Sequence, residues 1–159
     1  MKYISIDRLS DFEFHDATFD LQSSEGNSLT VMAKHLNIHT SAEQNPFEND
    51  MEIETACIRF ERIDVVSYKT GGAKRFDANG NYIDIEPEFI FDKQEAHGHF
   101  IDQLKSGITV LYLGEDEKQR YIIEAVGRDS FFTVAFSFDR MIIEWDDYIG
   151  ETWYASRKK

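Results

Sequence analysis

The expected fold follows from the stretch Phe131-Phe132-Thr133-Val134-Ala135-Phe136-Ser137-Phe138. Large apolar side chains at Phe132, Val134, Phe136 and Phe138 alternate with smaller residues. This period of two is typical of a β-strand with one buried face. Aromatic residues make up 14% of the chain, and they favour pleated, half-buried surfaces over helices. The stretch therefore indicates a β protein.

The neighbouring runs show the same alternation, with two changes of phase. Residues 29–33 alternate in one phase and 36–38 in the other, which predicts a β-bulge near Lys34-His35. The run 56–65 changes phase near Glu61-Arg62, so it is either one bulged strand or two strands. Turn-forming residues separate such runs about every 8–12 residues, as in sandwiches and barrels.

Other segments supply turns and an edge strand. Residues 15–21 alternate and predict a strand that begins at His15. Asn79-Gly80 is a strong hairpin signal. Residues 83–91 alternate around Pro87, which predicts an edge strand, because proline lacks the N–H that an inner strand must donate.

One segment predicts a helix, over residues 92–105. Asp92 and Glu95 have the spacing of a capping box, and Gly107 is placed to end the helix. Its apolar face has spacings of three and four: Ala96, His97, Phe100, Ile101 and Leu104. The prediction for residues 1–159 is thus a single, mainly β domain. We expect an antiparallel sandwich or open barrel of about eight strands with one covering helix.

The charge balance narrows the classes of partner. The chain has 30 acidic and 17 basic side chains and a net charge of −13. Nucleic acid and anionic membranes are poor partners for such a chain, because it has no basic excess to neutralise phosphates. The acidity favours either a basic protein partner or solubility alone.

The expected compartment is the cytoplasm. Cys57 is the single cysteine, so no internal disulfide can form. Residues 1–8 lack the apolar core of a signal peptide, and no apolar run approaches the roughly 20 residues that cross a bilayer.

Histidine patterns that resemble metal sites have the wrong spacing. His97 and His99 fall on the predicted helix, where residues two apart point about 200° away from each other. His35 and His39 fall on a predicted strand, roughly 13 Å apart. We therefore predict no metal, no cofactor and no catalytic residue, and the sequence leaves open whether the protein is an enzyme, with a preference against it.

Two further patterns are interpreted structurally. His15 and Asp16 could form a general-base pair, but as adjacent strand residues they would point to opposite faces. The run 77–81 partly imitates a calcium-binding loop, but its glycine is misplaced, so it is interpreted as a hairpin turn.

The C-terminus is the segment that most suggests a binding surface. Tryptophan and tyrosine dominate interface hot spots, and carboxylates among them would meet arginine or lysine. Core filling by the two tryptophans and a small-molecule or carbohydrate site are the alternatives. The predicted partner-binding residues are Trp145, Asp146, Asp147, Tyr148, Glu151 and Trp153.

Phe14-His15-Asp16-Ala17, at the start of a β-rich acidic chain, resembles a group of small bacterial proteins. Some of these are grouped with the immunity proteins of polymorphic toxin systems. The resemblance implies a stoichiometric inhibitor that covers the active site of a toxin, and it assigns no functional residue.

Three functions follow as hypotheses. The first is a non-enzymatic protein-binding module, with immunity-type inhibition of a basic toxin as its most specific form. The second is a small-ligand-binding or hydrolytic β-barrel whose pocket is lined by histidines, such as His15, His35 and His39, and by tyrosines. The third is an assembly subunit with a symmetric interface.

Overall fold

The computed structural model describes residues 1–128 and 131–157, and it is mainly β with one main helix. Strands within these residues form three antiparallel sheets. In chain order they are β1 (Tyr3–Ile6), β2 (Phe12–Glu13), β3 (Thr18–Glu25), β4 (Ser28–Lys34), β5 (Leu36–Ile38), β6 (Met51–Ile53), β7 (Ala56–Glu61), β8 (Asp64–Gly71), β9 (Lys74–Phe76), β10 (Tyr82–Ile85), β11 (Glu88–Asp92), β12 (Ile108–Glu115), β13 (Tyr121–Val126), β14 (Phe131–Ser137), β15 (Arg140–Trp145) and β16 (Tyr148–Glu151). The helices are α1 (Lys93–Ser106) and α2 (Trp153–Arg157).

The largest sheet has ten strands in the order β1-β15-β7-β4-β3-β12-β13-β14-β8-β11. Its edges are β1 and β11, so it is an open sheet and does not close into a barrel. The mainly β prediction is confirmed, but the strands outnumber the expected eight. The stretch that includes Phe132 and Phe136 forms β14, in the interior of this sheet. A turn is also predicted at Gly127-Arg128-Asp129, of which Asp129 lies outside the described residues.

A four-stranded sheet, in the order β16-β6-β5-β2, covers one end of the core. Its inward side chains belong to the same apolar cluster as Trp145 of β15. They are Phe12, Leu36, Ile38, Met51 and Ile53, all of them buried.

Both changes of phase mark points where the chain passes from one strand to another. His35 adopts a left-handed conformation, with φ of 57°, and separates β4 of the large sheet from β5 of the small one. The predicted irregularity is in the right place, but it is a crossing between sheets and not a bulge within one strand. Arg62 has φ of 53° between β7 and β8, which confirms the two-strand alternative there. Such left-handed residues split runs that look continuous in sequence, which explains part of the excess of strands.

The predicted helix is confirmed with its ends moved by one residue. Helix α1 buries Ala96, Phe100 and Leu104. Gly107, with φ of 82°, ends it as expected. The capping box does not form, because the side chain of Asp92 makes no capping hydrogen bond.

Strands β9 and β10 form a two-stranded hairpin, which we call the arm. In sequence the arm lies between β8 and β11. Asn79-Gly80 turns the hairpin as predicted. The expected strand over 83–91 is two strands, because Pro87 separates β10 from β11. The arm and β11 expose several apolar side chains: Phe76, Tyr82, Ile83, Ile85, Phe89 and Ile90. Among the described residues, neither helix is long and apolar enough to span a membrane.

Candidate binding site

Trp145 lies in the core. Its side chain has no exposed surface. Its indole stacks on Tyr3 with ring centroids 5.5 Å apart, and it meets the edge of Phe12 at 5.8 Å. The alternation of Met141, Ile143 and Trp145 along β15 places all three on the buried face. In this structure the indole of Trp145 is therefore out of reach of a partner.

Asp146 and Asp147 are exposed in the turn that follows β15. Oδ1 of Asp146 accepts a hydrogen bond of 2.7 Å from the backbone N–H of Lys2. The carbonyl of Asp147 accepts one of 3.0 Å from the N–H of Glu54. Both residues thus fix the turn to residues that flank β1 and β6, while their carboxylates stay near solvent.

Tyr148 and Glu151 lie at the two ends of β16. The half-buried Tyr148 donates its hydroxyl to the carbonyl of Gln44 at 2.9 Å. Oε1 of the exposed Glu151 accepts a hydrogen bond of 2.9 Å from the side chain of Asn49. These contacts hold the edge strand against the loop that precedes β6.

Trp153 is the exposed tryptophan of the predicted set. Its side chain is 61% exposed at the start of α2. The guanidinium carbon of Arg157 lies 4.9 Å from the centre of its indole ring. The six predicted residues therefore do not form one surface, and Trp153 lies with a different group of side chains.

That group lines two adjoining depressions of about 200 Å³ and 260 Å³ on the outer side of the four-stranded sheet. The depressions share four residues, so we treat them as one site and call it the Asn37 pocket. Its lining is Glu13, His15, Asp16, His35, Asn37, Glu52, Trp153 and Tyr154.

Sheet register builds the floor of the pocket. Glu13 of β2 pairs with Asn37 of β5, which in turn pairs with Glu52 of β6. Paired residues on neighbouring strands point to the same face, about 5 Å apart. Alternate residues of these strands point into the core, so the residues between them point outward. The carboxylates of Glu13 and Glu52 therefore flank the side-chain amide of Asn37.

Two residues of the pocket wall, Asp16 and His35, adopt left-handed backbone conformations. Asp16 has φ of 70°, and its N–H donates to the carbonyl of Val110 at 2.8 Å, which fixes the turn before β3. In this turn Nδ1 of His15 lies 3.1 Å from Oδ2 of Asp16. The prediction that the two side chains point to opposite faces is wrong, because they lie in a turn and the strand begins only at Thr18.

Two more histidines pair with carboxylates at the same end of the molecule. Nδ1 of His35 lies 2.9 Å from Oε1 of Glu52. Nδ1 of His39 lies 3.1 Å from Oδ2 of Asp50. Within the part of the chain that the structure describes, no three histidine, cysteine or acidic side chains are grouped as metal ligands.

Asp50 and Tyr154 position the start of α2 beside the pocket. The Tyr154 hydroxyl donates to Oδ2 of Asp50 at 2.9 Å, and the N–H of Thr40 donates to Oδ1 at 2.8 Å. Burial raises the pKa of Asp50, but the hydrogen bonds from His39, Thr40 and Tyr154 outweigh it and hold that pKa below its ordinary value. Burial and the hydrogen bond to Asp50 raise the pKa of Tyr154 to about 12.

A larger groove of about 830 Å³ lies between the β3–β4 turn and the start of α1. Its lining includes Asp64, Asp92, Lys93 and His97, all at least partly exposed. Charges of both signs line it, and none of its described lining residues has a buried polar side chain. The Asn37 pocket is therefore the more specific candidate.

Sequence reasoning missed the centre of this site. Glu13, Asn37, Glu52 and Tyr154 carry no motif, and only strand pairing brings them to His15 and Trp153. Comparison of the chain with protein-family models, with curated proteins and with solved structures gave no match. Inference about function therefore depends on the geometry of the site.

Proposed function

We propose that this protein is a non-enzymatic binding module that captures a basic partner protein through Trp153 and the Asn37 pocket. Immunity-type inhibition of a basic toxin is the most specific form of this function. One observation carries the proposal: an indole that is 61% exposed stands beside the three carboxylates that line the pocket.

Physical chemistry supports this combination as a protein-binding site. A tryptophan buries a large area in an interface at little cost in conformational entropy. Carboxylates beside it form charge-assisted hydrogen bonds with arginine or lysine. The net charge of −13 also accelerates encounter with a basic partner.

The proposal changes the predicted site. Trp153 stays at its centre, whereas Asp146, Asp147, Tyr148 and Glu151 are not part of the described lining of the Asn37 pocket. Trp145 contributes through the core that supports β15 and β16, since its side chain is fully buried.

A pull-down with tagged protein tests the proposal. We expect the wild-type protein to recover a basic partner, and Trp153→Ala or the double variant Glu13→Gln/Glu52→Gln to lose at least about 90% of it, in line with an interface hot spot. Glu117→Gln is the matched control, because Glu117 is exposed and lies outside the pocket. Equal recovery by all variants would refute the site.

Small-ligand binding is the second candidate. The convergence of His15 and His35 in one pocket favours it. Because the large sheet does not close, the ligand would lie in this surface pocket and not in the mouth of a barrel. Protein binding is the better-supported proposal, because an indole as exposed as that of Trp153 is typical of interface hot spots and the net charge of −13 favours a basic partner.

A further inference from the structure

Asn37 has a hydrogen-bonding capacity that the described residues leave unused. Its residue is only 7% exposed, yet its side-chain amide makes no hydrogen bond to any described residue. Among the described residues, the fully buried polar side-chain atom without a hydrogen bond is the indole nitrogen of Trp145, so the amide of Asn37 reaches solvent through the pocket. The floor of the pocket thus offers a preformed acceptor and donor to an incoming group.

The carboxylates around Asn37 also have acceptor oxygens to spare. Oε1 of Glu13 accepts the N–H of His15 at 3.0 Å, and Oε1 of Glu52 faces His35 at 2.9 Å. Oε2 of each glutamate makes no hydrogen bond to a described residue. The described lining contains no lysine or arginine, so a cation with several donors would complement its charge.

Trp153 distinguishes between the possible cations. Its indole already contacts one guanidinium, that of Arg157, at 4.9 Å. A guanidinium is planar, stacks on aromatic rings and forks between oxygen acceptors, whereas an ammonium is a compact and strongly hydrated point charge. Acceptors spread over adjacent strands beside an aromatic ring therefore suit arginine better than lysine.

We propose that the Asn37 pocket is an arginine pocket, which receives one arginine side chain of the partner protein. Its guanidinium contacts Trp153 and donates to Glu13, to Glu52 and to the amide oxygen of Asn37. The assignment rests on the proposed binding function, for which it names the anchor residue. Depressions of about 200 Å³ and 260 Å³ have the size for a single side chain.

Titration of the ¹⁵N-labelled protein with three small probes tests the assignment without knowledge of the partner. The probes are N-acetyl-arginine amide, its lysine counterpart and its citrulline counterpart, which keeps the planar shape but lacks the charge. The arginine probe should shift the side-chain amide signals of Asn37 and the indole signal of Trp153 in a saturable way. We expect the lysine probe to bind at least about fivefold more weakly, and the citrulline probe at least about tenfold.

Variants of the pocket sharpen the test. Glu13→Gln/Glu52→Gln should weaken arginine binding by about tenfold or more, and Glu117→Gln should leave it unchanged. Absence of a shift at Asn37, or equal binding of arginine and citrulline, would overturn the arginine assignment whatever the pull-down shows. If the arginine probe saturates but the pull-down does not depend on Trp153, the arginine pocket stands and the proposed partner function fails.

Discussion

The Tyr154 hydroxyl donates a hydrogen bond of 2.9 Å to Oδ2 of Asp50, and this contact joins the C-terminal turn to the loop before β6. The backbone strengthens the link, because the N–H of Thr152 donates to the carbonyl of Asp50 at 3.0 Å. Trp153 lies between these two anchored residues. The position of the exposed indole beside the Asn37 pocket therefore depends on Asp50.

Removal of the Asp50 carboxylate should destabilise the protein. In Asp50→Ala, the N–H of Thr40, the ring of His39 and the hydroxyl of Tyr154 lose their common acceptor. We expect the free energy of unfolding in urea to fall by about 2 kcal/mol, since donors in a partly buried site are left unpaired.

Glu48→Ala is the control for this experiment, because Glu48 is a nearby exposed acid without a hydrogen bond to the described residues. The Asp50 contribution also has a defined pH dependence. Its pKa is lowered in the folded state, so the stabilisation is present above about pH 4 and is lost as the pH falls below that value. Equal stability of the two variants, or a difference that does not shrink as the pH falls below about 4, would contradict the role of Asp50.

Tyr154 should make the protein sensitive to alkaline pH. Its pKa rises to about 12 in the folded state, from about 10 in an unfolded chain. The folded state therefore holds this proton more tightly, so the stabilisation is complete below about pH 10 and is lost as the pH rises towards 12. Tyr154→Phe should lack this loss, and the stability difference between wild type and variant should shrink across that interval. A constant difference would contradict the raised pKa.

Truncation of the two tryptophans should destabilise the protein to very different extents. Trp145→Ala removes a fully buried side chain that packs on Tyr3 and Phe12, and should cost about 3–5 kcal/mol of unfolding free energy. Trp153→Ala removes an exposed side chain and should cost less than about 1 kcal/mol. Chemical denaturation of both variants measures the contrast. Similar losses would contradict the division of the predicted site into a core residue and a surface residue.

The core-filling alternative holds for Trp145, which is fully buried, and not for Trp153, which is 61% exposed. Met141, Ile143 and Trp145 share one face of the run that became β15. The predicted site groups Trp145 with Trp153 because they are close in sequence, although alternation along the strand favours a buried position for Trp145. Two aromatic residues eight positions apart can lie in different environments when a strand ends between them.

The Asn37 pocket could not have been predicted in the same way. Its residues come from four separate segments, and strand pairing alone brings Glu13, Asn37 and Glu52 into one row. Asp16 and His35 adopt left-handed conformations that residues other than glycine reach only occasionally. Residue type alone does not predict a left-handed conformation at such positions. The expected number of strands is therefore lower than the number in the structure.

Alanine substitutions at Gly71 and Gly80 test how closely β8 and β11 approach each other at the base of the arm. Gly71 and Gly80 have φ of 80° and 82°, so a side chain at either position is strained. A Cβ atom at Gly71 would lie only 2.0 Å from the carbonyl oxygen of Pro87, whereas one at Gly80 would meet no atom within 4 Å. We expect Gly80→Ala to cost about 1 kcal/mol and Gly71→Ala clearly more, because only the latter forces β8 and β11 apart at the base of the arm. Thermal denaturation compares them, and equal losses would contradict the close approach of the two strands.

Hydroxyl-radical footprinting of the protein with its captured partner tests the central proposal most directly, because it reports side-chain accessibility residue by residue. We predict that Trp153, now 61% exposed, becomes protected together with His15 and His35, while Tyr82 and Phe89 of the exposed arm and β11 keep their reactivity. Protection of Tyr82 and Phe89 with unchanged oxidation of Trp153 would show that the partner binds the arm, and would contradict the proposed site.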